Sequence, residues 1–180
     1  MKISLKKPRT VLDWLRLYRV YREAFPPMER KPFGKIRKMY REGRADVWCL
    51  MVEGRFRGLA TTVNGGDLIL LDYFAITKGC RGQGFGTQAM KLLLETYDDK
   101  GFFLEIESTR EQAQNLRERL RRKAFYENCG MLPMDTEADV FGIRMELLGV
   151  RCHLDIDGYR AFYRDHYSAW AAEHIREVTT

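Results

Sequence analysis

The chain has 180 residues, of which 45% are hydrophobic and 31% charged, and carries a formal net charge of +6. Its length fits one domain with a real core, and its aromatic content excludes disorder. The apolar runs are too short to span a membrane, and the start, MKISLKKPRT, has no signal-peptide core, so a cytoplasmic location is the default expectation.

In chain order, KISL reads as a first strand. From Thr10 to Phe25 the residues Leu12, Leu15, Tyr18 and Phe25 recur at near-helical spacing, with Thr10 as N-cap. The prolines of FPPMERKPF break that helix. A second helix follows with Ile36, Met39 and Tyr40 on its apolar side, stopping at Gly43. ADVWCLMVE then predicts a strand, GRFRG a turn, and GLATTVN a strand closed by the hairpin signal NGG. DLILLDYFAI reads as a doubly buried strand. After a glycine-rich turn comes a helix to about Tyr97 with Met90, Leu93, Leu94 and Tyr97 on one face. FFLEIES is a strand, NLRERLRRKAFYENCG a helix stopped by Gly130, and FGIRMELLG a strand. The aromatic-rich stretch from Asp157 predicts helix. This order implies an α/β fold around one mixed sheet. The LDYFAI and FFLEIE strands are parallel because a single helix joins them.

Cys49, Cys80, Cys129 and Cys152 form no CxxC pair, and His153, His166 and His174 lack companion ligands, so no metal site is expected. The chemistry gathers instead at CRGQGFGTQAM. A strand that runs through glycines into a helix N-terminus presents unpaired N–H groups and the positive end of the helix dipole to an anion, and Arg81 adds a full charge. Gly82, Gly84 and Gly86 alternate strictly, which departs from the dinucleotide GxGxxG. The Gly-Lys-Ser/Thr of nucleoside triphosphatases is also absent. A plain tight turn is the alternative.

FAITKGCRGQGFGTQAMKLLL resembles the acetyl-CoA-binding motif Arg/Gln-x-x-Gly-x-Gly/Ala of the GNAT superfamily of N-acetyltransferases, with Arg81, Gly84 and Gly86 filling it. RRKAFYENCGML resembles that family's helix with an FY pair and a glycine shortly after. The order of elements matches from Lys2 to about Leu148. The resemblance implies a mixed, mostly antiparallel central sheet with a splayed parallel strand pair, flanked by helices. It places a GNAT domain over residues 1–150 and a helical extension over 151–180, packed on the same domain. It further implies acetyl-CoA as acyl donor, held between the LDYFAI and FFLEIE strands. The backbone of Phe74, Ala75 and Ile76 would pair with the pantetheine arm, and the amides of Gly82, Gln83, Gly84, Phe85, Gly86 and Thr87 would receive the pyrophosphate beside the charge of Arg81. Two positions depart from the family: Lys78 replaces a common proline, and Arg119 stands where many members have a pantetheine-contacting asparagine, leaving Asn115, one turn earlier, for that contact.

By the same resemblance Tyr126 is the general acid, the alternative being a tyrosine packed beside Phe125. Glu105 and Glu107 share a strand face, and Glu107, nearer the C-terminal end, is the candidate base; a salt bridge to the arginine-rich helix is its structural alternative. Asp72 is a second candidate for the base and Glu29, in the proline-rich loop, a third; with Tyr73 they are the acceptor-side candidates, Glu29 holding a cationic amine or being a plain surface charge. The implied reaction is acetyl transfer to a primary amine on a small molecule or peptide, by direct attack on the thioester. A non-catalytic acetyl-CoA-binding sensor or interaction module is the alternative. RERLRRK lacks interleaved aromatics and reads as a solvated helix face, so neither nucleic acid nor membrane is expected as a partner. Three uses are open to the C-terminal helix: covering the sheet, forming a homodimer contact, or walling the acceptor pocket. The first is the simplest.

Overall fold

The computed structural model describes residues 2–178. These form two compact units, one from residues 2–64 and 71–98, the other from residues 65–70 and 99–178.

The first unit contains β1 (Ile3–Lys6), α1 (Val11–Ala24), a 3-10 turn (Pro27–Glu29), α2 (Phe33–Arg41), β2 (Ala45–Val52), most of β3 (Arg55–Gly65), the later part of β4 (Leu68–Ile76), and α3 (Phe85–Thr96). The β1–β2 and β2–β3 pairs are antiparallel. A capping box starts α1: the Asp13 N–H donates to Thr10 Oγ1 at 3.1 Å, and the Thr10 N–H donates to Asp13 Oδ2 at 3.0 Å. The buried face of α1 is Leu17, Val20 and Tyr21, whereas Leu12, Leu15 and Tyr18 are exposed. The helix carries two apolar stripes; Tyr18 of the exposed one still touches Phe33 at 5.1 Å, but only the other reaches β4. Tyr21 packs edge-on against Tyr73 of β4 at 4.8 Å and tilts against Phe33 of α2 at 5.4 Å. Ile36, Val47, Cys49, Leu59 and Ala75 complete this core. GRFRG is not wholly a turn: β3 already begins at Arg55, and Glu53 and Gly54 turn the chain.

The second unit contains β5 (Gly101–Glu107), α4 (Leu116–Asn128), β6 (Leu132–Val140), β7 (Ile143–Val150), α5 (Ile156–His166), α6 (Ala169–Glu173) and β8 (Ile175–Glu177), with the start of β4 at Leu68–Leu70. The β5–β7, β6–β7 and β6–β8 pairs are antiparallel. Phe141 and Gly142, both at positive φ, make the two-residue turn between β6 and β7. The C-terminal stretch is not helical throughout, since β8 ends it as a strand on β6. Phe162 of α5 meets Phe103 of β5 edge-on at 5.0 Å, so α5 covers β5 as the simplest of its three uses requires.

The strand order is β1-β2-β3-β4-β5-β7-β6-β8, mostly antiparallel, with β4 and β5 as the parallel pair. This is the mixed α/β arrangement expected from the order of elements.

Candidate functional site

β4 ends at Ile76. A short 3-10 turn over Lys78–Cys80 follows, closed by the Cys80 N–H donating to the Thr77 carbonyl at 2.9 Å. Gly82 and Gly84 then adopt left-handed φ values of 75° and 76°. An L-residue would be strained there, so these two glycines are required by the backbone path itself. Gly84 is the N-cap of α3. It supplies no side-chain cap, and the first turn of α3 holds no acidic residue. Thr10 and Asp155 cap α1 and α5, whereas α2 and α4 share with α3 the lack of a side-chain cap but not its glycine turn. The first N–H groups of α3 are thus left to an outside acceptor, with the helix dipole behind them. A Cβ built on Gly82 or Gly84 would meet nothing within 4 Å, so open space adjoins the turn. Arg81 Nε donates to the Ile76 carbonyl at 3.0 Å, and Gln83 Nε2 donates to the Gly79 carbonyl at 3.2 Å. The first bond ties the turn to the end of β4. These residues fit a phosphorylated ligand: exposed backbone donors, a guanidinium, and no competing carboxylate.

Along β4, Tyr73 and Ala75 belong to the α1–α2 core, and alternation puts Asp72, Phe74 and Ile76 on the other face. One contact bears on Ala75: a Cβ on Gly58 of β3 would lie 2.3 Å from the Ala75 carbonyl oxygen. Gly58 therefore permits the close approach of β3 to the end of β4. Reading GRFRG as a turn hides this residue, whose only signal in the sequence is a glycine before an apolar run.

The proline-rich loop is latched onto β4. The Lys31 N–H donates to the Tyr73 hydroxyl at 3.0 Å, the Tyr73 hydroxyl donates to the Glu29 carbonyl at 2.9 Å, and the Tyr21 hydroxyl donates to the Lys31 carbonyl at 2.8 Å. Burial pushes the Tyr21 phenol up to about 12 and the Tyr73 phenol higher still, so both remain protonated donors at neutral pH. Lys31 Nζ pairs with Asp72 Oδ1 at 2.6 Å. Asp72, Tyr73 and Glu29, three acceptor-side candidates, are thereby brought together, although Glu29 takes part through its backbone and its side chain is exposed. Lys31 was not among the sequence candidates. Its only sign in the sequence is a cation in a loop stiffened by prolines.

In the second unit, Tyr126 is buried on α4, its ring edge-on to Phe125 at 5.1 Å. Burial pushes its phenol up to about 12. Glu107 is held by Arg119 at 2.9 Å, by Arg122 at 3.7 Å and by Asn115 Nδ2 at 3.4 Å. Arg119 also donates to Asn115 Oδ1 at 2.9 Å and to the Ser108 carbonyl at 3.0 Å. Arg119 is thus the hub that fixes Asn115 and Glu107. Glu105 instead accepts from the hydroxyls of Tyr159 and Tyr163, each at 2.7 Å. The two like charges on one face of β5 are each met by a different helix.

Among the described residues no helix is long and apolar enough to cross a membrane. A search of curated proteins by sequence finds no match. Solved structures are similar. A protein described as a GNAT-family acetyltransferase from Bacteroides thetaiotaomicron superposes with a TM-score of 0.76 at 18% identity, covering 96% of this chain and 99% of that one. The ribosomal-protein-S18-alanine N-acetyltransferase of Escherichia coli gives a TM-score of 0.64 at 15% identity, covering 85% and 96%. A Bacillus subtilis acetyltransferase in complex with CoA gives 0.60 at 16%, covering 83% and 97%. At these identities the likeness establishes the fold. The sequence model of the acetyltransferase (GNAT) family matches residues 14–131, a span that includes β4, the glycine turn and α4. With that match over most of its length, the chain belongs to the GNAT family: it is an N-acetyltransferase whose acyl donor is acetyl-CoA.

Proposed function

We propose that the enzyme moves the acetyl group directly to the nitrogen of a primary amine on a small molecule or peptide. The carrying observation is the uncapped N-terminus of α3, with Gly82 and Gly84 in the left-handed region and Arg81 tied back to Ile76. The first-turn amides and Arg81 receive the pyrophosphate, and the backbone of Phe74–Ile76 pairs with the pantetheine arm. An N–H at Ala75 or Ile76 faces the thioester oxygen, where negative charge develops as the amine attacks.

In the transfer the amine nitrogen bonds to the acyl carbon and the carbon–sulfur bond breaks; counted from the ammonium ion the nitrogen gives up two protons, one before attack and one as the amide forms, and the second balances the proton the thiolate gains. A lysine-like amine, with a reference pKa of about 10.4, is mostly protonated at neutral pH and must lose a proton before attack. Glu107 is assigned as its destination. Both carboxylate oxygens are already engaged by Arg119, Arg122 and Asn115, so a water carries the proton to it.

Tyr126 is assigned as donor to the leaving sulfur. Its phenol, near 12, is fully protonated at neutral pH. It is a weaker acid than a thiol of about 8.5, by roughly 5 kcal/mol, so it shares a hydrogen bond with the thiolate rather than surrendering its proton outright.

The test is thiol release from acetyl-CoA across a panel of amines, run with wild type and Tyr126→Phe. Release with at least one amine is expected, and the variant should lower kcat by roughly 10–100-fold while acetyl-CoA still raises Tm. Stabilisation by acetyl-CoA without release on any amine would make the protein a binding module. An unchanged kcat in Tyr126→Phe would remove that residue from the donor role.

A further inference from the structure

The Lys31–Asp72 pair is built with more care than a surface ion pair requires. The lysine's backbone is fixed on both sides, its N–H by Tyr73 and its carbonyl by Tyr21, and Pro32 follows it directly. Its ammonium reaches Asp72 at 2.6 Å and lies 5.9 Å from the centre of the Tyr73 ring. The Asp72 side chain is only 11% exposed. A carboxylate largely withdrawn from water, with an aromatic ring within about 6 Å of the bound cation, is a receptor for an alkylammonium ion. Asp72 precedes Phe74 by two positions, so its backbone lies roughly 7 Å along β4 from the stretch proposed for the donor. The acetyl-transfer reading brings its acceptor to this part of the strand.

We infer that Lys31 is a tethered occupant of the acceptor's cation subsite: its ammonium fills a place at Asp72 and Tyr73 that a protonated primary alkylamine takes when the lysine swings out. The inference rests on the acetyl-transfer reading for the use of the subsite, but not for its existence. A tethered ligand competes at an effective concentration of order millimolar. A simple monoamine is therefore held off, and an acceptor with further contacts is favoured. Lys31 sets specificity by raising the threshold for entry.

The variant Lys31→Ala opens the subsite, and n-butylammonium, the shape of the missing side chain, is the probe. At saturating concentration it should raise the Tm of Lys31→Ala by roughly 2–4 °C. It should leave wild type and the double variant Lys31→Ala/Asp72→Asn unmoved. Lys31→Ala should also acetylate butylamine with a KM about tenfold below that of wild type. If butylammonium fails to shift the Tm of Lys31→Ala, the subsite is overturned whatever the activity. A Tm shift that depends on Asp72, with no thiol released on butylamine by a variant that still acetylates other amines, overturns its use by the acceptor. A Tm shift in a protein that acetylates nothing sustains the subsite and defeats the transfer reading instead. Should Lys31→Ala not fold, Lys31→Gln keeps the first half of the stem and drops the charge. A KM for butylamine equal to that of wild type in Lys31→Gln would overturn the inference.

Discussion

At the scale of single residues, the turn after β4 separates backbone need from ligand need. Gly82 and Gly84 sit at left-handed φ with nothing within 4 Å of a built Cβ. Alanine at Gly84 would therefore meet no clash, only the left-handed penalty of about 1–2 kcal/mol. Gly43, after α2, has φ 71° and equally open surroundings, which makes Gly43→Ala a matched control. Both substitutions should lower stability by about 1 kcal/mol, but only Gly84→Ala should raise the KM for acetyl-CoA, by roughly tenfold, because it alone turns the first amides of α3. Equal KM values for the two variants would take the turn out of donor binding. The glycines were legible in the sequence because their spacing is itself the signal. Lys31 and Gly58 were not, because each acts on a residue far along the chain: Lys31 on Asp72, and Gly58 on the carbonyl of Ala75.

At the scale of elements, sequence patterns located most helices and strands but misjudged what faces what. On α1 the stripe Leu12, Leu15 and Tyr18 has the right period yet is exposed, and the contact with Tyr73 of β4 selects Tyr21's face. β6 went unread because Pro133 and three acids at Asp135, Glu137 and Asp139 hide the alternation of Met134, Ala138 and Val140. The pairing of Glu105 with α5 was equally invisible, since it joins a strand to tyrosines more than fifty residues on. That pairing docks α5. A hydrogen bond to a charged acceptor contributes about 1.5–3 kcal/mol. Tyr159→Phe or Tyr163→Phe should each lower the urea midpoint by a corresponding amount without changing the slope. The double variant should fall by more than the sum of the two, because the first loss leaves the other hydroxyl to hold Glu105. Strict additivity would show that the two bonds act independently.

At the scale of the whole molecule, 31 basic and 25 acidic side chains make stability a question of which charges are buried. Glu137 of β6 and Glu146 of β7 are register partners, and both are buried. Arg144 binds Glu137 at 2.5 Å and Arg110 binds it at 3.3 Å, while Glu146 accepts from Lys123, the Thr109 N–H and the Thr109 hydroxyl. Burial alone would raise the Glu146 carboxyl, but the bonds from Lys123 and Thr109 outweigh it and hold the group below its ordinary value. A carboxyl lowered in the folded state binds its proton more readily when unfolded. Its stabilising contribution is therefore present above the ordinary carboxylate value of 4.5 and is lost as pH falls through the depressed one. Glu146→Gln removes this dependence and leaves Lys123 facing a neutral amide. At pH 7 it should be destabilised by about 3–5 kcal/mol, as expected when one partner of a buried pair is removed. The gap to wild type should then close as the pH is brought down below the ordinary carboxylate range, because wild type loses the same interaction by protonation. Urea midpoints for both proteins across that range give the answer. Two curves that stay parallel into acid would mean that Glu146 holds its place through packing, and that its charge does nothing for the fold.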